Sequence, residues 1–200
     1  MSKRKLVVST GNSHKVYEIR KILADLDIEV LSKNDIGLEK FDVVEDGLTL
    51  EENSVKKARE LAERTNFMVI ADDSGLFVDS LNGEPGVYSS RYAGEDGNDK
   101  KNNIKLLENL KDKKDRSAAF KTVIALITED KTLYTVEGIC PGSIGVEPNG
   151  ENGFGYDPLF IPDGYDKSFA ELGDEVKNKI SHRARALENL KAILKSIMED

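Results

Sequence analysis

The chain has 200 residues, of which 38% are hydrophobic and 33% charged, a composition that excludes a disordered protein and fits one domain or two lobes sharing a sheet. The formal net charge of −8 argues against non-specific nucleic-acid binding, and the absence of an apolar run of about 18 residues argues against a membrane protein. The only cysteine is Cys140, so no intrachain disulfide can form and a reducing, cytoplasmic compartment is expected.

The N-terminal segment predicts an α/β fold. Residues 1–8 are basic and then apolar, and the apolar stretch is far too short for a signal peptide, so a first strand is expected over residues 5–9. A turn at residues 10–13 follows, and apolar side chains at helical spacing predict a helix over residues 14–26. With a short strand expected at residues 29–31, the opening has the strand–turn–helix–strand order of α/β proteins.

The next predicted elements are a capped helix and a buried strand. Thr49 and Glu52 form a capping-box pattern, in which each side chain bonds a backbone N–H near the helix start, and this helix is expected to end near residue 64. Residues 66–71 are apolar enough for a buried strand, which is expected to end at a polar turn over residues 72–75.

Further elements are expected in the second half of the chain. In order, they are a structured loop (81–94), a helix (98–110), the two strands of a long antiparallel hairpin (116–128 and 131–140), an irregular glycine- and proline-rich segment (141–155), a short strand (159–161) and two helices that begin after Ser168 and Ser181. Cys140 has no histidine near it in sequence and is interpreted as a buried strand residue, not as a nucleophile.

The turn between the first strand and the first helix is the first candidate site. It consists of Thr10, Gly11, Asn12, Ser13, His14 and Lys15. A helix N-terminus has free N–H groups and a partial positive charge, and Lys15 adds a full charge, so the turn is suited to bind phosphate. The spacing is not that of a P-loop, and an ordinary connection between a strand and a helix is an equally good interpretation.

Acidic residues beside predicted elements form the second candidate site. Asp72 and Asp73 follow a predicted strand, where ligands bind in open α/β sheets, and neighbouring carboxylates suit Mg²⁺. One of them can also take the proton from an attacking water. Glu45, before the capped helix, is a candidate third ligand, and solvated acidic turns are the alternative for all three residues.

Two clusters in the C-terminal half carry groups that suit a nucleobase. Glycines flank Phe154, so its ring can stack on a base with a free-energy gain of about 1–3 kcal/mol, and Asp157 can accept from a base N–H. Ser181, His182 and Arg183 combine hydroxyl, imidazole, guanidinium and helix N–H groups, which suit a carbonyl or a phosphate. The alternatives are a turn with Phe154 in the core and an ordinary capped helix.

In their order along the chain, these motifs resemble the inosine triphosphate pyrophosphatase family. The matching segments are residues 9–12 with Lys15 and Glu18, residues 47–49, 52–53 and 57–58, and residues 71–76, 85–92, 153–158 and 179–183. The resemblance extends from residue 5 to about residue 190. Six motifs in the same order make a chance match improbable.

The resemblance implies a two-lobed α/β structure around a long mixed β-sheet flanked by helices. Residues 1–200 then form a single domain with the active site in the cleft between the lobes. It also implies a homodimer that cleaves inosine, deoxyinosine and xanthosine triphosphates to the monophosphate and pyrophosphate, with Mg²⁺ as cofactor. Such an enzyme removes deaminated purines from the nucleotide pool, and neither nucleic acid nor a membrane is an expected partner.

The resemblance assigns roles to residues of this chain. Asp73 is the expected general base and a metal ligand, with Asp72 and Glu45 as supporting ligands. The phosphates are expected at Thr10, Gly11, Asn12, Ser13, His14, Lys15 and Lys56. The remaining substrate contacts, mainly to the base, are expected at Ser74, Phe154, Gly155, Tyr156, Asp157, Lys177, His182 and Arg183.

Two alternative functions stay open. The chain can be a house-cleaning pyrophosphatase for modified pyrimidine or standard nucleotides, built on a similar architecture. It can also be a non-catalytic nucleotide-binding protein that keeps the pocket, although the presence of Asp72, Asp73 and Lys15 argues against this.

Overall fold

The structure, a computed structural model, describes residues 3–199. The strands are β1 (Arg4–Val8), β2 (Ile28–Ser32), β3 (Met68–Val78), β4 (Ser117–Ile127), β5 (Leu133–Ile144) and β6 (Phe160–Pro162). The α-helices are α1 (Ser13–Ile22), α2 (Leu50–Ala62), α3 (Asp99–Asn109), α4 (Phe169–Ile180) and α5 (His182–Glu199). Short 3₁₀ helices lie at Asn34–Ile36, Asp79–Leu81 and Gly86–Arg91.

The strands form a mixed sheet in the order β2-β1-β3-β4-β5-β6. β1 pairs in parallel with β2 and β3, so Leu6 lies opposite Val30 on one side and Met68 on the other. β5 and β6 pair antiparallel, with Ile144 opposite Phe160. The predicted α/β architecture around a long mixed sheet is confirmed. None of the helices formed by residues 3–199 is long and apolar enough to cross a membrane.

The chain divides into two compact units. Unit 1 consists of Met1–Asp73, Thr122–Gly138 and Ala186–Asp200, and unit 2 consists of Ser74–Lys121 and Ile139–Arg185. Each unit has its own buried apolar cluster. In unit 1, side chains of β1, β3 and β4 pack against α2, and the fully buried members of this cluster are Val7, Ala58, Leu61, Val69, Ala71 and Ala125.

The apolar core of unit 2 is built around aromatic rings. The Phe160 ring lies 4.6 Å from the ring of Phe120 and 5.4 Å from that of Phe169, measured between centroids. Leu106 of α3 and Leu76 of β3 are fully buried in the same cluster. α3 and α4 are thereby packed on the part of the sheet that belongs to unit 2.

The first helix is shorter than predicted. α1 ends at Ile22, because the N–H of Leu23 closes the helix on the carbonyl of Ile19 and Leu26 then bonds back to Leu23 in a turn. Leu23 and Leu26 are buried all the same. Because the apolar spacing continues past the end of the helix, the helix predicted from it was four residues too long at its C-terminus.

Side-chain caps begin the next helices. Thr49 Oγ1 accepts from the Glu52 N–H as predicted, but Glu52 accepts from the Leu48 N–H and not from Thr49, so the predicted capping box at α2 is only half formed. At α4 the predicted capping box is complete, with Ser168 and Glu171 each accepting from the other's backbone N–H.

Two strands continue further than the sequence indicates. β3 extends to Val78, so the predicted turn at residues 72–75 is wrong. Gly75 lets the strand pass close to a neighbouring segment, because a Cβ there would lie 2.3 Å from the Gly86 carbonyl oxygen. β5 extends to Ile144, so residues 141–144 are not irregular. A Cβ on Gly142 would lie 2.3 Å from the carbonyl oxygen of Ile161, so this glycine permits the approach of β6.

Cys140 lies in β5 and is 1% exposed, as the sequence predicted for a buried strand residue. Burial raises the pKa of its thiol to about 11. We expect the native protein to resist a thiol reagent at mildly alkaline pH, because little of the reactive thiolate is present. Absorbance after addition of a disulfide reagent, with and without concentrated guanidinium chloride, checks this. Rapid modification of the folded protein would contradict the prediction.

Candidate functional site

The turn between β1 and α1 in unit 1 is held by its own side chains. Asn12 caps α1, and its Oδ1 accepts from the N–H of His14 at 2.9 Å and of Lys15 at 3.3 Å. The Asn12 N–H donates to Thr10 Oγ1 at 3.1 Å. The exposed residues of the turn are Gly11, Ser13 and His14. Two of the first-turn N–H groups expected to bind phosphate therefore already donate to Asn12.

Asp72 and Asp73 lie within β3, where successive side chains point to opposite faces of the sheet. The two carboxylates accordingly have different partners. Asp72 Oδ2 lies 3.0 Å from Lys15 Nζ, and the Asp72 side chain is almost fully buried. The structure thus brings together a residue expected to bind phosphate and one expected to support a metal.

Asp73 is held by two side chains of α2. Asn53 Nδ2 donates to Asp73 Oδ2 at 3.0 Å, and Lys57 Nζ lies 3.8 Å from Asp73 Oδ1. The same ammonium donates to Glu45 Oε1 at 3.0 Å and to the Asp72 carbonyl at 2.8 Å. Lys57 therefore joins three residues of the second candidate site.

Burial raises the pKa of the Asp73 carboxyl above its usual range. The positive charge of Lys57 opposes this effect, the negative charge of Glu45 adds to it, and Lys15 and the hydrogen bond from Asn53 oppose it again. The net direction is upward because desolvation of the charged form is the largest contribution. A carboxyl with a raised pKa is a better proton acceptor near neutral pH than an ordinary aspartate.

The chemistry of this cluster fits a magnesium ion. Glu45 and Asp73 both approach the Lys57 ammonium, so two carboxylates already converge on one positive charge. Mg²⁺ needs only one or two protein carboxylates, because it keeps several waters and binds substrate phosphates as well. Over the described range 3–199, no three His, Cys, Asp or Glu side chains form a group that holds a metal by itself.

Lys57 and Asn53 are site residues that the sequence analysis missed. Lys56, the predicted phosphate contact, forms a solvent-accessible ion pair with Asp46 at 2.6 Å. The sequence nevertheless contained a usable signal, because Asn53 and Lys57 both lie at helical spacing on the buried face of α2. The buried positions of this face are Leu50, Asn53, Ser54, Lys57, Ala58, Leu61 and Ala62.

In unit 2, the structure brings together Phe154 and three of the residues predicted to surround it. Lys177 Nζ lies 4.3 Å from the centroid of the Phe154 ring, and Arg183 Cζ lies 5.9 Å from it. Asp157 Oδ2 accepts from Lys177 Nζ at 2.7 Å and from the Phe154 N–H at 2.9 Å. Phe154 is half-buried, so its ring is neither in the core nor fully exposed.

The side chains of His182 and Arg183, at the start of α5, are both buried. Arg183 is 1% exposed, and its Nη2 donates to Ser74 Oγ at 3.2 Å. The His182 ring stacks on Phe120 with 4.7 Å between centroids. Ser181 Oγ accepts from the Ala184 N–H at 3.2 Å, which confirms the predicted helix cap.

Tyr156 and Gly155, also predicted to bind substrate, have contacts inside unit 2. The Tyr156 side chain is 4% exposed in the apolar core, and its hydroxyl donates to the Ser89 carbonyl at 2.8 Å. The Gly155 N–H donates to Asp99 Oδ2 at 2.7 Å, and its carbonyl accepts from Asn103 Nδ2 at 3.0 Å. Asp99 and Asn103 carry no motif, and the sequence analysis did not find them.

Comparison with known proteins gives matches over nearly the full chain. The model of the Ham1 family matches residues 6–193. A dITP/XTP pyrophosphatase of Clostridium perfringens is 50% identical over an alignment of 204 positions, which covers 98% of this chain and 100% of that protein. A dITP/XTP pyrophosphatase of Haemophilus influenzae is 47% identical over an alignment of 196 positions, which covers 96% of this chain and 100% of that protein.

Solved structures agree with this family. The Staphylococcus aureus Ham1 protein has a TM-score of 0.85 and 42% identity, and the match covers 96% of this chain and 99% of that one. The HAM1 protein from Coxiella burnetii has a TM-score of 0.87 and 41% identity, with the same coverage of 96% and 99%. The family resemblance inferred from six motifs is thereby confirmed, and the chain belongs to the Ham1 family.

Proposed function

We propose that the chain hydrolyses non-standard purine nucleoside triphosphates, such as dITP and XTP, to the nucleoside monophosphate and pyrophosphate. The observation that carries the proposal is the buried Asp73 carboxylate, which Asn53 and Lys57 hold within β3. Relatives named dITP/XTP pyrophosphatase, at 50% and 47% identity to this chain, support the choice of substrate.

The residues of unit 1 act on the triphosphate in this proposal. Water attacks the α-phosphorus, the bond from that phosphorus to the oxygen bridging to the β-phosphate breaks, and pyrophosphate leaves. Asp73 accepts the proton that the water loses, because Asn53 and Lys57 hold its carboxylate in a fixed position. Lys15 and Lys57 supply positive charge beside the aspartates. Glu45 and Asp73 would hold Mg²⁺, which supplies further charge against the phosphates.

The residues of unit 2 act on the base. The Phe154 ring provides a stacking surface, and Arg183 and His182 provide donors for the 6-oxo group that hypoxanthine and xanthine share. Adenine carries an amino group at this position, so the donor groups of Arg183 and His182 would face another hydrogen-bond donor. A buried mismatch of this kind is costly and allows strong discrimination.

A panel of triphosphates tests the proposal. We expect kcat/KM for inosine, deoxyinosine and xanthosine triphosphates to exceed that for adenosine triphosphate by at least about 100-fold. Phosphorus NMR should identify pyrophosphate as the inorganic product. Release of orthophosphate would refute the cleavage position, and a preference for pyrimidine triphosphates would favour the alternative substrate class. Tight binding without hydrolysis would favour a non-catalytic nucleotide-binding protein.

The proposal includes a homodimer in the cytoplasm. The family resemblance supports the dimer, and the single cysteine supports a reducing compartment. Light scattering in solution tests the oligomeric state, because one chain has a mass of 22.2 kDa.

A further inference from the structure

The loop that carries Phe154 is attached to helix α3 through one residue, Gly155. Both the N–H and the carbonyl of Gly155 form hydrogen bonds with side chains of the helix. The Gly155 N–H donates to Asp99 and the Gly155 carbonyl accepts from Asn103. Asp99 and Asn103 are four residues apart, so they lie on the same face of the helix. The bond to Asp99 involves a carboxylate, and charge-assisted hydrogen bonds are stronger than neutral ones. Rotation of the peptide groups around Gly155 would break at least one of the two bonds.

Asn152 Nδ2 attaches the tip of this loop to α4 by donating to the Ala170 carbonyl, whereas beside α3 the loop borders an open space. A cavity of about 440 Å³ lies there, and its lining includes Ile104 and Leu107 of α3 and the Phe154 segment. The exposed residues at the tip of the loop are Glu151, Asn152 and Gly153. Because side chains do not fill this space, the two hydrogen bonds to Gly155 fix the loop on this side.

Phe154 also has contacts with Asp157, Lys177 and Arg183. The Phe154 N–H donates to Asp157, and Lys177 lies over the ring. Gly155 has a φ of +62°, a left-handed conformation in which a glycine can easily change its torsion angles. The hydrogen bonds from α3 therefore restrain the residue directly after Phe154, whose backbone could otherwise change conformation easily.

We propose that Asp99 and Asn103 are positioning residues, which hold Phe154 in the orientation that stacks on the purine base of the substrate. This inference rests on the proposed function, in which Phe154 contacts the base. Neither residue touches the substrate in the proposal. Their effect is transmitted through the backbone of Gly155.

A fluorescence experiment tests the positioning without any substrate. The chain has no tryptophan, so Phe154→Trp introduces a single indole at the ring position. In this background, Asp99→Ala and Asn103→Leu are each expected to increase acrylamide quenching of the indole by about twofold, because the loop opens more often. Glu108→Ala removes an exposed carboxylate from the same helix and should change nothing. Asp99→Asn keeps an acceptor oxygen and should behave nearly like the parent.

A kinetic experiment tests the consequence for the substrate. With Phe154 retained, Asp99→Ala and Asn103→Leu are expected to raise KM for inosine triphosphate by about tenfold, with a smaller change in kcat. Ribose 5-triphosphate has no base, so its kcat/KM should be the same in both variants as in the wild type. Partial unfolding would instead reduce the turnover of both substrates.

The outcomes separate this inference from the proposed function. Unchanged quenching in both variants would overturn the positioning role, and so would equal losses with inosine triphosphate and ribose 5-triphosphate. If quenching increases but the wild-type chain hydrolyses no nucleoside triphosphate, the proposed function is refuted together with the stacking role. Increased quenching combined with a loss confined to the base-containing substrate supports both.

Discussion

Asp73→Asn is expected to reduce kcat for inosine triphosphate by about 10²–10⁴-fold, because the amide cannot accept the proton of the attacking water. The same variant is expected to be more stable than the wild type, with Tm raised by about 2–4 °C, which corresponds to ~1 kcal/mol. The physical reason is that burial disfavours the charged carboxylate, as the raised pKa of Asp73 indicates. Steady-state kinetics and calorimetry without added magnesium measure the two effects.

The matched control is Asp112→Asn, which makes the same chemical change at an exposed position outside the helices and strands. We expect it to alter neither kcat nor Tm. Substantial turnover by Asp73→Asn would remove Asp73 from the proposed role of general base. A lower Tm in that variant would mean that the contacts of Asp73 with Asn53 and Lys57 outweigh the cost of burying its charge.

Lys57→Met is expected to lower the free energy of unfolding by about 2–4 kcal/mol and Tm by about 5–15 °C. Without the ammonium, the buried Asp73 carboxylate loses a nearby positive charge and the Asp72 carbonyl loses a hydrogen-bond donor. Turnover should fall at least about 100-fold, because the carboxylates around Lys57 lose their shared partner. Denaturant unfolding and inosine triphosphate kinetics measure the two quantities.

Lys56→Met is the matched control, since it removes the same group one residue earlier in α2. Its ion pair with Asp46 is solvent-accessible, so Tm should be unchanged. A raised KM for inosine triphosphate in this variant would support the predicted contact of Lys56 with a phosphate. Equal destabilisation by both substitutions would contradict the distinction between the two lysines.

The difference between Lys56 and Lys57 illustrates what the sequence predicts about the site. Helical spacing places Lys57 on the buried stripe of α2 and Lys56 beside it, so the buried lysine was identifiable in principle. The partners of Lys57 were not identifiable from the sequence, because its contact with Asp73 depends on how α2 packs on β3. The motif around Asp73 was visible because its residues are adjacent in sequence.

In the fold, too, local sequence patterns predict some features correctly, whereas features that depend on contacts between distant residues are missed. Periodicity and caps predicted most helices and strands, including α3 and the capping box at Ser168. The end of β3 was predicted wrongly because residues 72–75 have good turn chemistry, which was overridden by pairing with neighbouring strands. The hydrogen bonds of Asp99 and Asn103 with Gly155 join residues more than 50 positions apart, and no local sequence pattern predicts them.

The position of Asp72 and Asp73 inside β3 has an evolutionary consequence. A one-residue insertion or deletion in a strand exchanges the faces to which all later side chains point. Such a change before Asp73 would send its carboxylate away from Asn53 and Lys57. Exposed segments outside the helices and strands, such as residues 111–115, can therefore change in length without moving Asp73, whereas a change in length within β3 before Asp73 would displace its carboxylate.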